Sequence, residues 1–521
     1  MLNPRYENEL SPMFSDQNIM NAWLTVEQAV LAAKQASRPH DEKLALAARL
    51  LCEIENVDVA RAKEIEKTTR HDMVAFVRSV CEQMDAMEES RGENLGRFVH
   101  QGVTSYDIED TAQSMLLAGA GRAVAKSLRD LSGLLRQKAN LFKYAPCNGY
   151  THNQIAEPVT IGKKFLDLEF SLNGQLSRFE NEIRNINLCK IKGAVGIYGG
   201  ALTPEFEQQV ADILGMRTSR SATQILPIEN LVSFFCPLVA AACHIENFAQ
   251  NLRLASGDLA EAKEGFGKSQ TGSSIMTFKE NPINLENITG AARKMKALMG
   301  ELMNATGTWR ERDISNSFQV QRHIVPEMFE TIGHIASKTR GVLDSLRIFP
   351  IQAMRNIRKY GDFLFAGAAK EWFANNGALG NATIYGLIQE KSIAAKHAAD
   401  FRGETRSLYD ELESLAGHDP EGGLKTAMSL PYNLRNVGKY YDLATSERTG
   451  YNEAAIHPQL VDYIIDGGQL AQFRKKDSLA FIDEYRRIVE KNYEQSAGGH
   501  HRQAMESLRD SVARFKKELS K

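Results

Sequence analysis

Apolar residues recur at three- and four-residue spacing in AWLTVEQAVLAAKQA and in DEKLALAARLLCEIE, so residues 16–91 read as short amphipathic helices. From about residue 110 to 372 the same period runs longer and predicts helices over 111–143, 160–187, 229–263, 285–307 and 326–358. Helices of that length favour bundle packing at about 20° crossing over a globin-like cluster. Polar and glycine-rich residues collect in the breaks at 97–111, 149–158 and 264–282, and the last of these, EGFGKSQTGSSIMTFKENP, has the composition of a mobile loop. Beyond about Gly377 the helical segments shorten and become more polar. The expectation is an all-α fold: an N-terminal helical domain over 1–110, a central long-helix bundle over 111–372 with its loop at 264–282, and a C-terminal helical domain over 373–521. No repeat of 20 to 50 residues points to a solenoid.

Composition supports helices. The 521 residues include only 14 prolines, the residue that helix interiors tolerate least. The run LVSFFCPLVAAAC at 231–243 is shorter than the roughly 20 apolar residues of a membrane span, contains Pro237 and continues into His244 and Glu246. It reads as a buried core helix, and no membrane partner is expected. A formal charge of -2 supplies no general field for a nucleic-acid backbone, so anions must be held in a local pocket. The six cysteines show no CxxC or metal-ligand spacing, and the N-terminal residues carry no apolar signal-like run. Reduced thiols, a cytoplasmic location and neither metal nor cofactor are the expectation.

Three histidines stand in polar surroundings: His71 in TTRHDMVAF, His100 in RFVHQGVTS and His152 in YTHNQ. A lone histidine is more often structural, but three beside Thr, Ser, Arg and Gln shift the balance towards chemistry. Thr104, Ser105 and Asp107 precede a helical run, where spacing alone favours an N-cap over the anion site that helix-end N–H groups could also build. Gly272-Ser273-Ser274 followed by Lys279 and Asn281 offers a hydroxyl, free N–H groups and a cation on one loop. Neither a P-loop order nor a GxSxG elbow is present there.

Together these segments resemble the fumarase/aspartase superfamily, whose members eliminate fumarate by breaking a C–N or C–O bond. GSSIMTFKENPINLE is similar to its signature loop GSSxMPxKxNPxxxE, and TSYDIEDTA and YTHNQIAEPVTIGKK are similar to its other two characteristic regions. TTRHDMVAF, RFVHQGVTS, KIKGAVGIYGG, WRERDISNS and the opening RY…SPMFSDQN most resemble the adenylosuccinate lyases, in order from Arg5 to about Met354. The resemblance implies Ser273 as general base, His152 as general acid oriented by Glu286, and Lys279 and Asn281 as holders of the carboxylate on which charge builds. It implies Thr104, Ser105, Thr151, Gln154 and Met276 around the succinyl and leaving-group side, and Arg5, Tyr6, Arg70, His71, Asp72 and His100 around the nucleotide. Gln224, Arg312, Ser317 and Arg322 complete the implied binding set, the arginines suiting a phosphate dianion. A homotetramer with each site drawn from three chains is implied as well.

The sequence departs from the family pattern at four places. Thr277 replaces the loop proline, Asn153 replaces a small residue, and Ile228-Glu229 stands where a basic residue and Asp are usual. RDISNSFQVQR is one residue longer than RDISxSSxxR. The elimination machinery is therefore better kept than the nucleotide-recognition part, which leaves three readings: an adenylosuccinate-lyase-type enzyme, a fumarate-releasing lyase for another N-succinyl compound, and a non-catalytic helical relative.

Overall fold

The computed structural model describes residues 6–87, 90, 92–267, 269–307, 310–376, 380–416, 422–445, 453–494 and 501–521. The chain is all-α in character, with strands confined to short pairings. It forms two compact units, each assembled from three separate stretches: 1–131, 172–246 and 287–339 in the first, 132–171, 247–286 and 340–521 in the second.

The first unit opens with α1 (Asp16–Ser37), α2 (Glu42–Glu53), α3 (Val59–Thr69) and α4 (Asp72–Asp85). Polar caps start the first three of these: Ser15, Asp41 and Asp58 each accept an N–H three residues ahead, satisfying donors that the helix leaves unpaired. Their apolar faces close one core in which Trp23 meets Phe76 edge-on at 5.5 Å. α7 (Pro204–Leu214) packs on α1, with Pro204 at the helix start where its missing N–H costs nothing.

Five long helices follow the predicted pattern: α5 (Ser105–Leu141), α6 (Ile161–Ile186), α8 (Glu229–Ser256), α9 (Ile283–Asn304) and α11 (Val325–Ser345). Three ends differ clearly from the sequence expectation. The helix expected over 111–143 begins at Ser105, so Ser105 and Asp107 lie in its first turn rather than ahead of it. The helix expected over 326–358 stops at Ser345, and α12 (Pro350–Tyr360) begins anew, because a proline lacks the N–H and clashes with the preceding turn. The helix expected over 229–263 stops at Ser256, and Ala262–Lys263 pairs instead with Arg347–Ile348 as a two-residue antiparallel bridge. α8 is long and apolar enough by length and composition to cross a membrane, yet Phe234, Phe235, Leu238, Ala241, Ala242 and Ile245 are fully buried within the protein. Between α10 (Ile314–Gln319) and α11 lies a π-helical turn, Val320–Ile324, in the segment that is one residue longer than the family pattern.

In the second unit, β1 (Pro146–Thr151) and β2 (Gln154–Thr160) form a hairpin that packs on α12. The register slips between Asn148 and Tyr150. A Cβ on Gly149 would meet Glu157 O at 2.4 Å, so only glycine allows the strands to approach there. Tyr144, at the root of the hairpin, packs against His457 and Tyr493 in a buried aromatic cluster.

Candidate active site

In the first unit, the α3–α4 junction presents Arg70, His71 and Asp72. Arg70 ends α3 in the left-handed region (φ 51°), which turns the chain so that His71 stands at the N-cap position of α4, with no capping hydrogen bond from its side chain. His71 Nδ1 lies 3.4 Å from Asp72 Oδ1, and the same Asp72 carboxylate is paired with Arg322 from the π turn. Arg322 also stands 3.8 Å from Glu109 Oε2 on α5. The π turn thus delivers a guanidinium to the histidine-bearing junction.

Close to it, Gln224 joins two segments: its Oε1 accepts from Arg312 at 3.0 Å and its amide donates to Ala194 O at 2.9 Å. The Arg312 guanidinium lies over the Tyr106 ring, 4.0 Å from its centroid, and Tyr106 donates to the buried Ser317 hydroxyl at 3.4 Å. Burial pushes Glu109 up to about 7; Asp110 adds to the shift, and Arg312 and Lys190 oppose it. Thr104 precedes α5, and the capping contact here comes from Asp107, whose carboxylate accepts the Thr104 N–H at 3.0 Å. His100 pairs with Glu27 across 2.6 Å. Tyr6 stands edge-on to His334 at 4.9 Å, and Arg5 lies outside the described residues.

In the second unit, Thr151 pairs with Gln154, and His152 and Asn153 form the two-residue turn between them, with φ of 51° and 58°. Two positive φ values are the signature of a type I′ turn; its cost is lowest for glycine and modest for asparagine, which is what stands at 153. All four side chains are exposed at the hairpin tip.

The loop ahead of α9 is closed on itself. Asn281 donates to Gly272 O at 2.7 Å and the Lys279 N–H to Met276 O at 3.0 Å. The Ser273 hydroxyl oxygen accepts the N–H groups of Ile275 at 3.3 Å and Met276 at 3.0 Å. Donors aimed at a serine oxygen favour its deprotonated form, and the Lys279 cation shares the loop. Glu286, in the first turn of α9, lies 3.4 Å from Arg253. Glu280 is held by Lys263 and Arg347, and this pairing keeps its carboxyl below the ordinary range.

Comparison with known proteins decides the family. A family model described as Lyase matches residues 5–296. Adenylosuccinate lyase of Deinococcus radiodurans is 31% identical over 445 residues, covering 83% of this chain and 97% of that protein. The chain belongs to the fumarase/aspartase superfamily of lyases. Adenylosuccinate lyase of Bacillus subtilis is likewise 31% identical over 439 residues, 83% of this chain and 97% of its own. The protein of that name from Staphylococcus saprophyticus is 33% identical over 445 residues, 85% and 99% of the two chains. Among solved structures, a fumarate lyase from Mesorhizobium sp. BNC1 superposes with a TM-score of 0.73 at 18% identity over 85% of this chain and 99% of that one. The 3-carboxy-cis,cis-muconate lactonizing enzyme of Pseudomonas putida gives 0.69 at 19% identity over 84% and 95%. These likenesses establish the fold that the chain shares with them.

Three features at or beside the site were not singled out from the sequence. Glu27, Glu109 and the pairing of Lys190 with Asp107 all depend on segments far apart in the chain. Glu27 alone left a local sign, a carboxylate inside the apolar stripe of α1. Among the described residues no three His, Cys, Asp or Glu side chains gather as a metal site would require.

Proposed function

We propose that this carbon–nitrogen lyase releases fumarate from adenylosuccinate, and from the succinyl-carboxamide ribotide of purine synthesis, by β-elimination. The observation that carries the reading is the Ser273 oxygen, which accepts two backbone N–H groups on a loop that also carries Lys279 and Asn281. As an alkoxide stabilised by those donors, Ser273 removes the Cβ proton of the succinyl group. Lys279 and Asn281 meet the carboxylate on which negative charge develops. The C–N bond breaks, and His152 gives a proton to the departing nitrogen while Glu286 orients its ring. Thr104, Ser105, Thr151, Gln154 and Met276 hold the succinyl and leaving-group side. Arg5, Tyr6, Arg70, His71, Asp72, His100, Gln224, Arg312, Ser317 and Arg322 hold the nucleotide, with the guanidiniums on its phosphate.

The exposed hairpin tip and loop fit a site completed in a cytoplasmic homotetramer, each site using residues of three chains. The three relatives named above support the substrate, as does the order of the motifs along the chain. The test is direct: purified protein is mixed with either purine substrate and fumarate release is followed by absorbance. Release that is lost in Ser273→Ala, with assembly intact, is the expected result; absence of release from both substrates rejects the proposal.

A second reading has its own observation. Ile228 is buried and lines a narrow cleft with Asp110 and Ser317, where related lyases carry a basic residue. A less anionic N-succinyl compound would suit that apolar wall. Fumarate release across a panel of succinyl-amines separates the two, since activity confined to the purine substrates rejects this one.

A further inference from the structure

Helix α1 places one carboxylate where its apolar stripe would otherwise continue. Trp23, Leu24, Glu27, Val30 and Leu31 share the buried face, and Glu27 is only 1% exposed. An ionised carboxylate at such a position is costly unless donors fill its oxygens. His100 fills both: its ring Nδ1 lies 2.6 Å from Oε1, and its backbone N–H donates to Oε2 at 3.1 Å. Two turns further along α1, the Lys34 ammonium donates to Gln101 O, so the helix grips the 100–101 peptide at both ends.

The gripped residue is strained. His100 has φ of 57°, a left-handed conformation unfavourable for any residue with a Cβ, and its side chain is still 22% exposed. A core carboxylate that merely needed donors could be satisfied by an unstrained backbone. Here it holds a ring that remains partly open to the outside and whose second nitrogen is not taken up by Glu27.

We infer that Glu27 is a positioning residue for His100. It takes the proton-bearing Nδ1, which fixes the tautomer and the ring plane and leaves Nε2 as the atom offered to substrate. The inference rests on the proposed placement of His100 among the nucleotide-binding residues.

The test is a double-mutant cycle in the full chain with Glu27→Gln and His100→Gln, reading fumarate release from adenylosuccinate together with thermal unfolding. Each single variant should lower kcat/KM by roughly 10- to 100-fold, chiefly through KM. The double variant should be no worse than His100→Gln alone, because Glu27 acts only through that ring. Losses that multiply in the double variant overturn the inference, as does a normal Glu27→Gln beside an impaired His100→Gln. A normal His100→Gln removes the placement of His100 itself, and the inference with it. If Glu27→Gln folds poorly, Glu27→Asp completes the same cycle, since it keeps the charge and shortens the reach.

Discussion

Lys190 Nζ lies 3.0 Å from Asp107 Oδ1, and neither side chain has any exposed surface. The carboxylate also accepts the N–H groups of Lys192 at 3.0 Å, Gly193 at 3.1 Å and Thr104 at 3.0 Å, while the ammonium donates to Gln224 O. One buried pair therefore ties the start of α5 to segment 190–193 and to the segment carrying Gln224. Removing one partner strands the other charge in the interior, and Lys190→Met should cost about 3–5 kcal/mol in urea unfolding. Lys190→Met combined with Asp107→Asn leaves no charge and should recover part of the loss. A single variant as stable as the wild type would show that the pair carries no structural weight.

Gly272 has no room for a side chain. A Cβ there would sit 1.8 Å from Lys279 O, across the contact that closes the loop on itself. Gly272→Ala must open the loop and move Ser273 relative to Lys279. Displacement of reacting groups by about 1 Å can cost on the order of 100-fold in rate. The expected result is a fall in kcat of at least about tenfold, with the melting temperature little changed because the loop is largely exposed. Unchanged turnover would separate the loop's closed form from catalysis.

Helical periodicity carried the fold because each long helix buries one face, and that face is written in the apolar spacing. It misjudged the ends at Ser345 and Ser256 and set the start of α5 six residues late, at 111 instead of Ser105. Pro350 was a local sign of the first break, but the Ala262–Lys263 bridge at the second is a tertiary pairing with no local sign. The loop and hairpin residues were visible as motifs, since the resemblance that marked them rests on residues within a few positions of one another. Asp107 was legible as a cap, which it is, but not as the partner of Lys190, because that contact joins distant segments. The extra residue of RDISNSFQVQR was visible in the sequence; the π turn that occupies the same segment, and the aim of Arg322 at Asp72, were not.

Glu109 makes stability depend on pH in a calculable direction. Burial raises it from the ordinary 4.5 to about 7, so the native chain keeps a proton that the unfolded chain has already lost. Its contribution is full below about pH 4.5 and is lost as pH rises towards 7, a span of roughly 3 kcal/mol. His457 works the other way: burial lowers it from 6.5 to about 4, so its contribution is full above about 6.5 and is lost on acidification. Between about pH 4.5 and 6.5 the two slopes oppose each other. Glu109→Gln cannot ionise, so its stability relative to wild type should improve steadily from pH 4.5 to 7 in urea titrations. A difference that stays constant over that range would mean that Glu109 titrates in the native protein as it does in the unfolded chain.

Arg322 offers the sharpest test of nucleotide recognition. Its guanidinium is already held by the Asp72 carboxylate and stands 3.8 Å from Glu109, so under the proposed function an arriving phosphate would meet a cation oriented beforehand. A charge-assisted contact of this kind contributes about 1.5–3 kcal/mol, which corresponds to roughly a 10- to 100-fold change in affinity. The phosphate of adenylosuccinate is distant from the breaking C–N bond, so a contact to it should be equal in ground and transition states, and Arg322→Gln should raise KM for adenylosuccinate and leave kcat close to normal. Arg322→Lys should recover little, because a point charge cannot reproduce the guanidinium fork. Succinyladenosine, which lacks the phosphate, should be turned over equally by wild type and variant. Equal losses with both compounds would place Arg322 outside phosphate recognition and leave it as a strut for Asp72 and His71.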